Sequence, residues 1–279
     1  MKMLIRFLAI VLLCHTVSVS AQRKPRIKGN RDVTRVEESL PSFSRLELMD
    51  DLDIVLKRSA EEGYALTADD NLVSVIKFRV ENGTLLISSF YEITGKKELS
   101  ITIYYNQLNA VAVSEGRVLT AEGERINADL LEVKASGNAR VDLAGDVGQL
   151  VLQMGDNSKG DLAVTADSLT VELRHKANAQ LYVNSFSGSV SVGDNATLDM
   201  EGTSGTAHVE VMGDGRLRAE NFEVGRLTAT CAGSSDSRIF AVDELQINLS
   251  GSSRCYLYGD PAIALSAFRD SAEFLKRNK

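Results

Sequence analysis

The 279-residue chain contains no tryptophan and only three prolines, three cysteines and three histidines. Each shortage closes a class of function. Three cysteines cannot build the bridge framework of a small disulfide-dense scaffold. No histidine is spaced with another, or with a cysteine, as metal ligation requires, so neither a zinc motif nor a catalytic triad can be assembled. Basic charge is also short: 31 Lys and Arg stand against 38 Asp and Glu, a net −7, and such a chain repels a nucleic-acid backbone. No stretch reaches the roughly 18 consecutive apolar residues of a transmembrane helix. What remains, at 44% hydrophobic and 25% charged residues, is the composition of an ordinary folded protein rather than a disordered one.

The first residues carry an address. Lys2 and Arg6 precede the apolar run Phe7 to Cys14, and Val19-Ser20-Ala21 offers the narrow side chains that signal peptidase requires. Residues 1–21 therefore read as a signal peptide, which places the mature chain in the periplasm, on the outer-membrane surface or outside the cell. Leu13 stands where acylation at Cys14 would want a small residue, so no lipid anchor is expected. Residues 22–32, with Arg23, Lys24, Arg26, Lys28 and Arg31, read as a flexible basic leader.

Two textures follow. Residues 33–109 hold short β-branched runs and the hairpin signal Asn82-Gly83, which predict an antiparallel β region, with one short helix from Ala68 towards Ile76 capped by an aspartate. Beyond residue 109 lie 17 of the 21 glycines, and a repeat emerges. Asn138, Asn157, Asn178, Asn195, Gly215, Ser235 and Ser253 mark turns roughly 19 residues apart, each flanked by alternating apolar residues such as Leu131/Val133/Ala135 and Val141/Leu143. Period-2 alternation inside such a repeat means strands with one buried face, which no single repeat can bury alone. Stacking solves this, and residues 110–261 are expected to form a right-handed parallel β-helix, or β-solenoid, with like residues in ladders. Proline is absent between Pro41 and Pro261, which leaves the ladder hydrogen bonds intact. In residues 262–279, Leu265, Phe268, Ala272 and Leu275 recur at helical spacing, predicting a short helix that caps the open end.

The runs Phe43-Ser44-Arg45-Leu46-Glu47-Leu48, Leu52-Asp53-Ile54-Val55-Leu56, Asp70-Asn71-Leu72 and Asn82-Gly83-Thr84-Leu85-Leu86-Ile87 come in this order, followed by Ile101-Thr102-Ile103-Tyr104. Later come Ala135-Ser136-Gly137-Asn138-Ala139, Leu249-Ser250-Gly251-Ser252-Ser253 and Tyr258-Gly259-Asp260-Pro261. Together they resemble the head GIN domain family, secreted and mainly Bacteroidetes proteins described as autotransporter adhesin heads. His175-Lys176-Ala177-Asn178 departs from the family's Ser-Gly turn. The resemblance implies an all-β, solenoid-like extracytoplasmic protein and transfers no catalytic residue.

Carboxylates offer the main competing chemistry, because β-helices can cleave polysaccharides. Asp142 and Asp199 are expected on the outward face three rungs apart, roughly 14 Å, beyond the ~5–9.5 Å of paired glycosidase acids. Asp156, Asp194 and Asp214 each follow a glycine in the turns, and Asp194 and Asp214 on adjacent rungs could share a Ca²⁺, although Asp and Asn are also plain turn formers. Phe240 and Tyr256, read as outward neighbours on adjacent rungs, are the candidate binding aromatics. Cys231 and Cys255 fall in apolar columns on different rungs and are expected as two buried free thiols, since bonding would need the core sheets to pinch together. The expected protein is thus a non-enzymatic, adhesin-like module binding a surface glycan or an envelope protein. A polysaccharide-cleaving enzyme using turn carboxylates and a structural or regulatory envelope component are the alternatives.

Overall fold

The computed structural model describes residues 24–278; the signal segment 1–21 lies outside the described residues. The first half contains β1 (Arg26–Lys28), β2 (Val33–Ser39), β3 (Arg45–Leu48), β4 (Asp53–Arg58), β5 (Gly63–Asp69), α1 (Asp70–Val73), β6 (Ile76–Glu81), β7 (Thr84–Ser89), β8 (Glu92–Gly95), β9 (Leu99–Tyr105), β10 (Ala110–Val113), β11 (Arg117–Thr120) and β12 (Ile126–Ala135). The second half contains β13 (Arg140–Met154), β14 (Lys159–Leu173), β15 (Asn178–Val192), β16 (Thr197–Val211), β17 (Arg216–Cys231), β18 (Asp236–Leu249), β19 (Arg254–Tyr258), β20 (Ala262–Phe268) and β21 (Glu273–Lys276). They stack as a parallel β-solenoid of about 9 turns at about 19 residues per turn.

The alternation read from sequence is what closes the core. Val133, Leu152, Val171, Val190, Val209, Ala229 and Ile247 form one inward ladder, each in parallel register with the next, and all are buried. Burying each valine, leucine or isoleucine of the ladder is worth about 1.5–3 kcal/mol, and because neighbouring rungs contact each other the stability is summed along the stack. Each long strand carries a corner near its middle and ends in a tight turn. At that turn one residue adopts a left-handed conformation: Gly137, Asp156, His175, Asp194, Gly213, Gly233, Gly251 and Asp270 all have φ between 54° and 76°. Gly137 shows why many of these are glycine, since an added Cβ would lie 2.3 Å from the Ser114 carbonyl oxygen.

The N-terminal region departs from the expected purely antiparallel sheet. β3 and β4 lie parallel between β7 and β9 on one side and β10 and β11 on the other, so the solenoid already begins here. Alternation alone does not distinguish parallel from antiparallel partners. The antiparallel pairs β5–β9, β2–β5 and β6–β7 instead close the first end of the stack. The leader is tied down rather than flexible. β1 pairs with β8, the Lys24 ammonium meets the Asp50 carboxylate, and Asn71 donates to the Lys28 carbonyl at 2.9 Å. Asp69 precedes the single-turn α1 without capping it; its buried carboxylate accepts the backbone N–H groups of Arg31, Lys97 and Glu98.

The C-terminal segment also differs from expectation. It forms two strands, β20 on β18 and β21 on β19, in place of a capping helix. The exposed backbone of the preceding rung supplies ladder partners, and a register shift between Ile247 and Asn248 returns Phe268 to the inward column after Ile263 and Leu265. That bulge mimics helical spacing in the sequence. Among the described residues no further strand packs above β20, and Ile263, Leu265 and Phe268 are 49–53% exposed.

Candidate binding face

On one flank of the stack, the outward residues of β14 to β17 enclose a groove of about 380 Å³. One outward column runs Asp142, Asp161, Gln180, Asp199, Arg218, Arg238 and Tyr256. Two residues along, Ala163, Tyr182 and Glu201 form the next. Their spacing follows from the pleat: outward residues alternate along a strand, and rungs lie about 4.8 Å apart. Tyr182 is 54% exposed, with its ring standing among polar neighbours.

The groove owes its wall to an irregularity. Register slips between Asp199 and Glu201 and again between Ala219 and Glu223, so Asn221 faces Glu201 while Glu223 faces Phe240. Bulges of this kind re-aim side chains and often flank binding sites. Here Glu220 and Asn221 are brought beside the Tyr182 column. The left-handed turn residues are 19 apart from Gly137 to Gly213, then 20 to Gly233 and 18 to Gly251, so the extra residue is visible in the sequence.

The floor is electrostatically sorted. Arg218 donates to Asp199 at 3.1 Å, and Arg238 donates to Glu220 at 3.0 Å. The other Glu220 oxygen, Oε2, is buried and has no hydrogen-bond partner. Asp142, one rung before Asp161 in the same column, is held by Arg117 and Arg140. Asp161 and Glu201 are exposed and form no ion pair, leaving two carboxylates free to accept hydrogen bonds. Four acids and one arginine line the groove, so it disfavours an anionic ligand.

The aspartates expected to hold calcium are placed differently. Asp156 and Asp194 share a column but are separated by His175, whereas Asp214 lies one position past that column. Their carboxylates serve the backbone: Asp156 accepts the Gly137 N–H at 3.0 Å and Asp194 accepts the His175 N–H at 2.9 Å. His175 Nδ1 in turn faces the Asp156 N–H at 3.2 Å. The turn side chains thus stitch each rung to the one before it. Among the described residues, no group of three or more His, Cys, Asp or Glu side chains could hold a metal ion.

Phe240 and Tyr256 are not neighbours. Phe240 lies beside Tyr258, while Tyr256 lies beside Arg238 under the Arg277 guanidinium, 5.2 Å from its ring centre. The sequence columns were two residues out of step in β14, β15 and β18, because Gly160, Ala179 and Ser237 hold the inward position that Val141, Leu198 and Leu217 hold on other rungs, and a small or polar residue there does not announce its burial. That slip hid Asp161 and Gln180, while Asn221 was hidden by the register shift that sets it beside Glu201. Asp142 and Asp199 are three rungs apart, as the sequence indicated.

Fold and face define the class, a parallel β-solenoid with an open groove on one flank. The chain belongs to the family described as "Putative auto-transporter adhesin, head GIN domain", which it matches over residues 42–179 and 157–261. Among solved structures, it is similar to a putative adhesin from Parabacteroides distasonis at 16% identity and a TM-score of 0.68, with 90% of this chain and 100% of that one covered. A putative adhesin from Parabacteroides merdae aligns at 16% identity and TM-score 0.66, covering 91% and 99%. A putative lipid binding protein from Parabacteroides distasonis aligns at 19% identity and TM-score 0.62, covering 91% and 98%. At these identities the likeness establishes the fold. No curated protein sequence matches the chain. Among the described residues, no helix is long and apolar enough to cross a membrane.

Proposed function

We propose that this is an exported, non-enzymatic adhesin-like module that binds a neutral or cationic surface saccharide in the groove around Tyr182. The observation that carries this reading is one exposed aromatic ring set among unpaired carboxylates and side-chain amides on a bulged, otherwise rigid sheet. A sugar presents apolar C–H faces that pack on such a ring, and its hydroxyls donate to Asp161, Glu201, Gln180 and Asn221. A lipid tail would want an apolar cleft, which this polar groove does not offer. Binding without turnover is favoured because Asp199 and Glu220 are held by arginines, and Asp161 and Glu201 are exposed to water instead of being buried as a general acid requires.

The test is retention of polysaccharides by the mature protein, with the same polymers assayed for new reducing ends. Retention without new ends, lost at least tenfold in Tyr182→Ala, is expected. New reducing ends would replace this reading with the enzymatic one. A second reading, an envelope protein as ligand, is favoured by the uncovered last rung, where β20 offers an apolar edge to an added strand.

A further inference from the structure

Cys231 and Cys255 close opposite sides of one turn. Cys231 ends β17 in the ladder between Val211 and Leu249. Cys255 is the second residue of β19 and lies beside Ser237, not in the Ile239 position expected from sequence. That two-residue difference places it next to the turn instead of further along the strand. Cys231 Sγ lies 3.4 Å from Ser237 Oγ, and Ser237 is the parallel-ladder partner of Cys255 on the next rung, so both thiols neighbour one buried serine. Both are free and fully buried.

We propose that Cys231 and Cys255 form a disulfide when the chain folds in the presence of a disulfide oxidant, stapling β17 to β19 near the open end of the solenoid. One thiolate attacks the oxidant's S–S bond, expelling one thiol and leaving a mixed disulfide. The second thiolate then displaces the other oxidant thiol, so that two protein thiols lose two protons and two electrons while one disulfide becomes two thiols. Burial pushes the Cys255 thiol above its ordinary pKa. In the closed core no oxidant can reach either thiol, so the exchange belongs to folding, before the last rungs close. The staple matters where it stands, because β20 and β21 are paired on one side only among the described residues, and such a rung opens more readily than one held on both sides.

The experiment refolds the mature protein with oxidised and reduced glutathione, then alkylates it in denaturant and measures intact mass. A monomer about 2 Da lighter than the dithiol, taking no alkyl group until reduced and two afterwards, is expected. Its melting point should exceed that of the reduced protein by about 5–15 °C, a difference absent in Cys231→Ser. Two alkylated thiols after oxidative refolding, or a disulfide-linked dimer, would overturn the proposal. The oxidising compartment follows from the export reading, which a second arm isolates. Thiols found in protein drawn directly from cells, when the refolded protein is bonded, would count against export and not against the pair.

Discussion

Asp194 offers a direct test of how the turns are held. Its φ is 54° and its carboxylate accepts the His175 N–H at 2.9 Å, while its own carbonyl accepts the Asp214 N–H at 2.7 Å. Substitution leaves that last bond in place, so three variants separate the two jobs of the side chain. Asp194→Asn keeps an acceptor oxygen and tolerates the left-handed backbone, and should cost no more than about 0.5 kcal/mol. Asp194→Gly loses the acceptor but adopts the conformation freely. A bond to a charged group is worth about 1.5–3 kcal/mol when sheltered, and exposure of this turn brings the loss down to about 1 kcal/mol. Asp194→Ala loses the acceptor and adds roughly 1 kcal/mol of left-handed strain, for a total near 2 kcal/mol. Urea unfolding followed by circular dichroism should rank the variants Asn, Gly, Ala from most to least stable. Equal midpoints for Ala and Asn would refute the stitching role. A Ca²⁺-dependent midpoint in the parent protein that Asn abolishes would restore the metal reading.

Two further outcomes follow from buried polar groups. Ser253 Oγ is buried without a hydrogen-bond partner, and equivalent turn positions hold Ala139, Ala177 and Ala196, so Ser253→Ala should raise stability by about 1 kcal/mol; a loss of that size would show that the hydroxyl is bonded. For Asp69, burial pushes the pKa up, but the N–H groups of Lys97, Arg31 and Glu98 more than offset it and hold the carboxyl below its ordinary range. A lowered folded-state pKa means its contribution is complete above the unfolded value of about 3.9 and fades as pH falls through the folded value. Amide exchange around Arg31 and Lys97 should therefore accelerate selectively in acid, and Asp69→Asn should show that acceleration already at neutral pH. Unchanged protection in the variant would contradict it.

The strand faces of the solenoid were legible because each inward ladder is a run of alternating apolar residues; Leu131, Val133 and Ala135 announce their burial in sequence. The turns were partly legible. Gly137 and Gly251 signal positive φ by residue type, but His175 occupies the same position without any such signal, and the columns after the turns stood two residues out of step in β14, β15 and β18. The face around Tyr182 was hidden for that reason, since a two-residue slip preserves the inward-outward alternation while exchanging neighbours along the surface. Pairing direction was likewise silent: β3 and β4 read as half-buried strands whichever way their partners run. The final segment misled through Leu265 and Phe268, whose three-residue spacing comes from a bulge and not from a helix.

The most direct measurement is chemical-shift mapping of the mature protein during titration with the saccharide it retains best. Perturbations should concentrate at Asp161, Gln180, Tyr182, Glu201 and Asn221, and vanish in Tyr182→Ala while the rest of the spectrum stays unchanged. Perturbations confined to the turn column, to the β20 edge, or to no defined face would contradict a binding site built on the bulged flank of the solenoid.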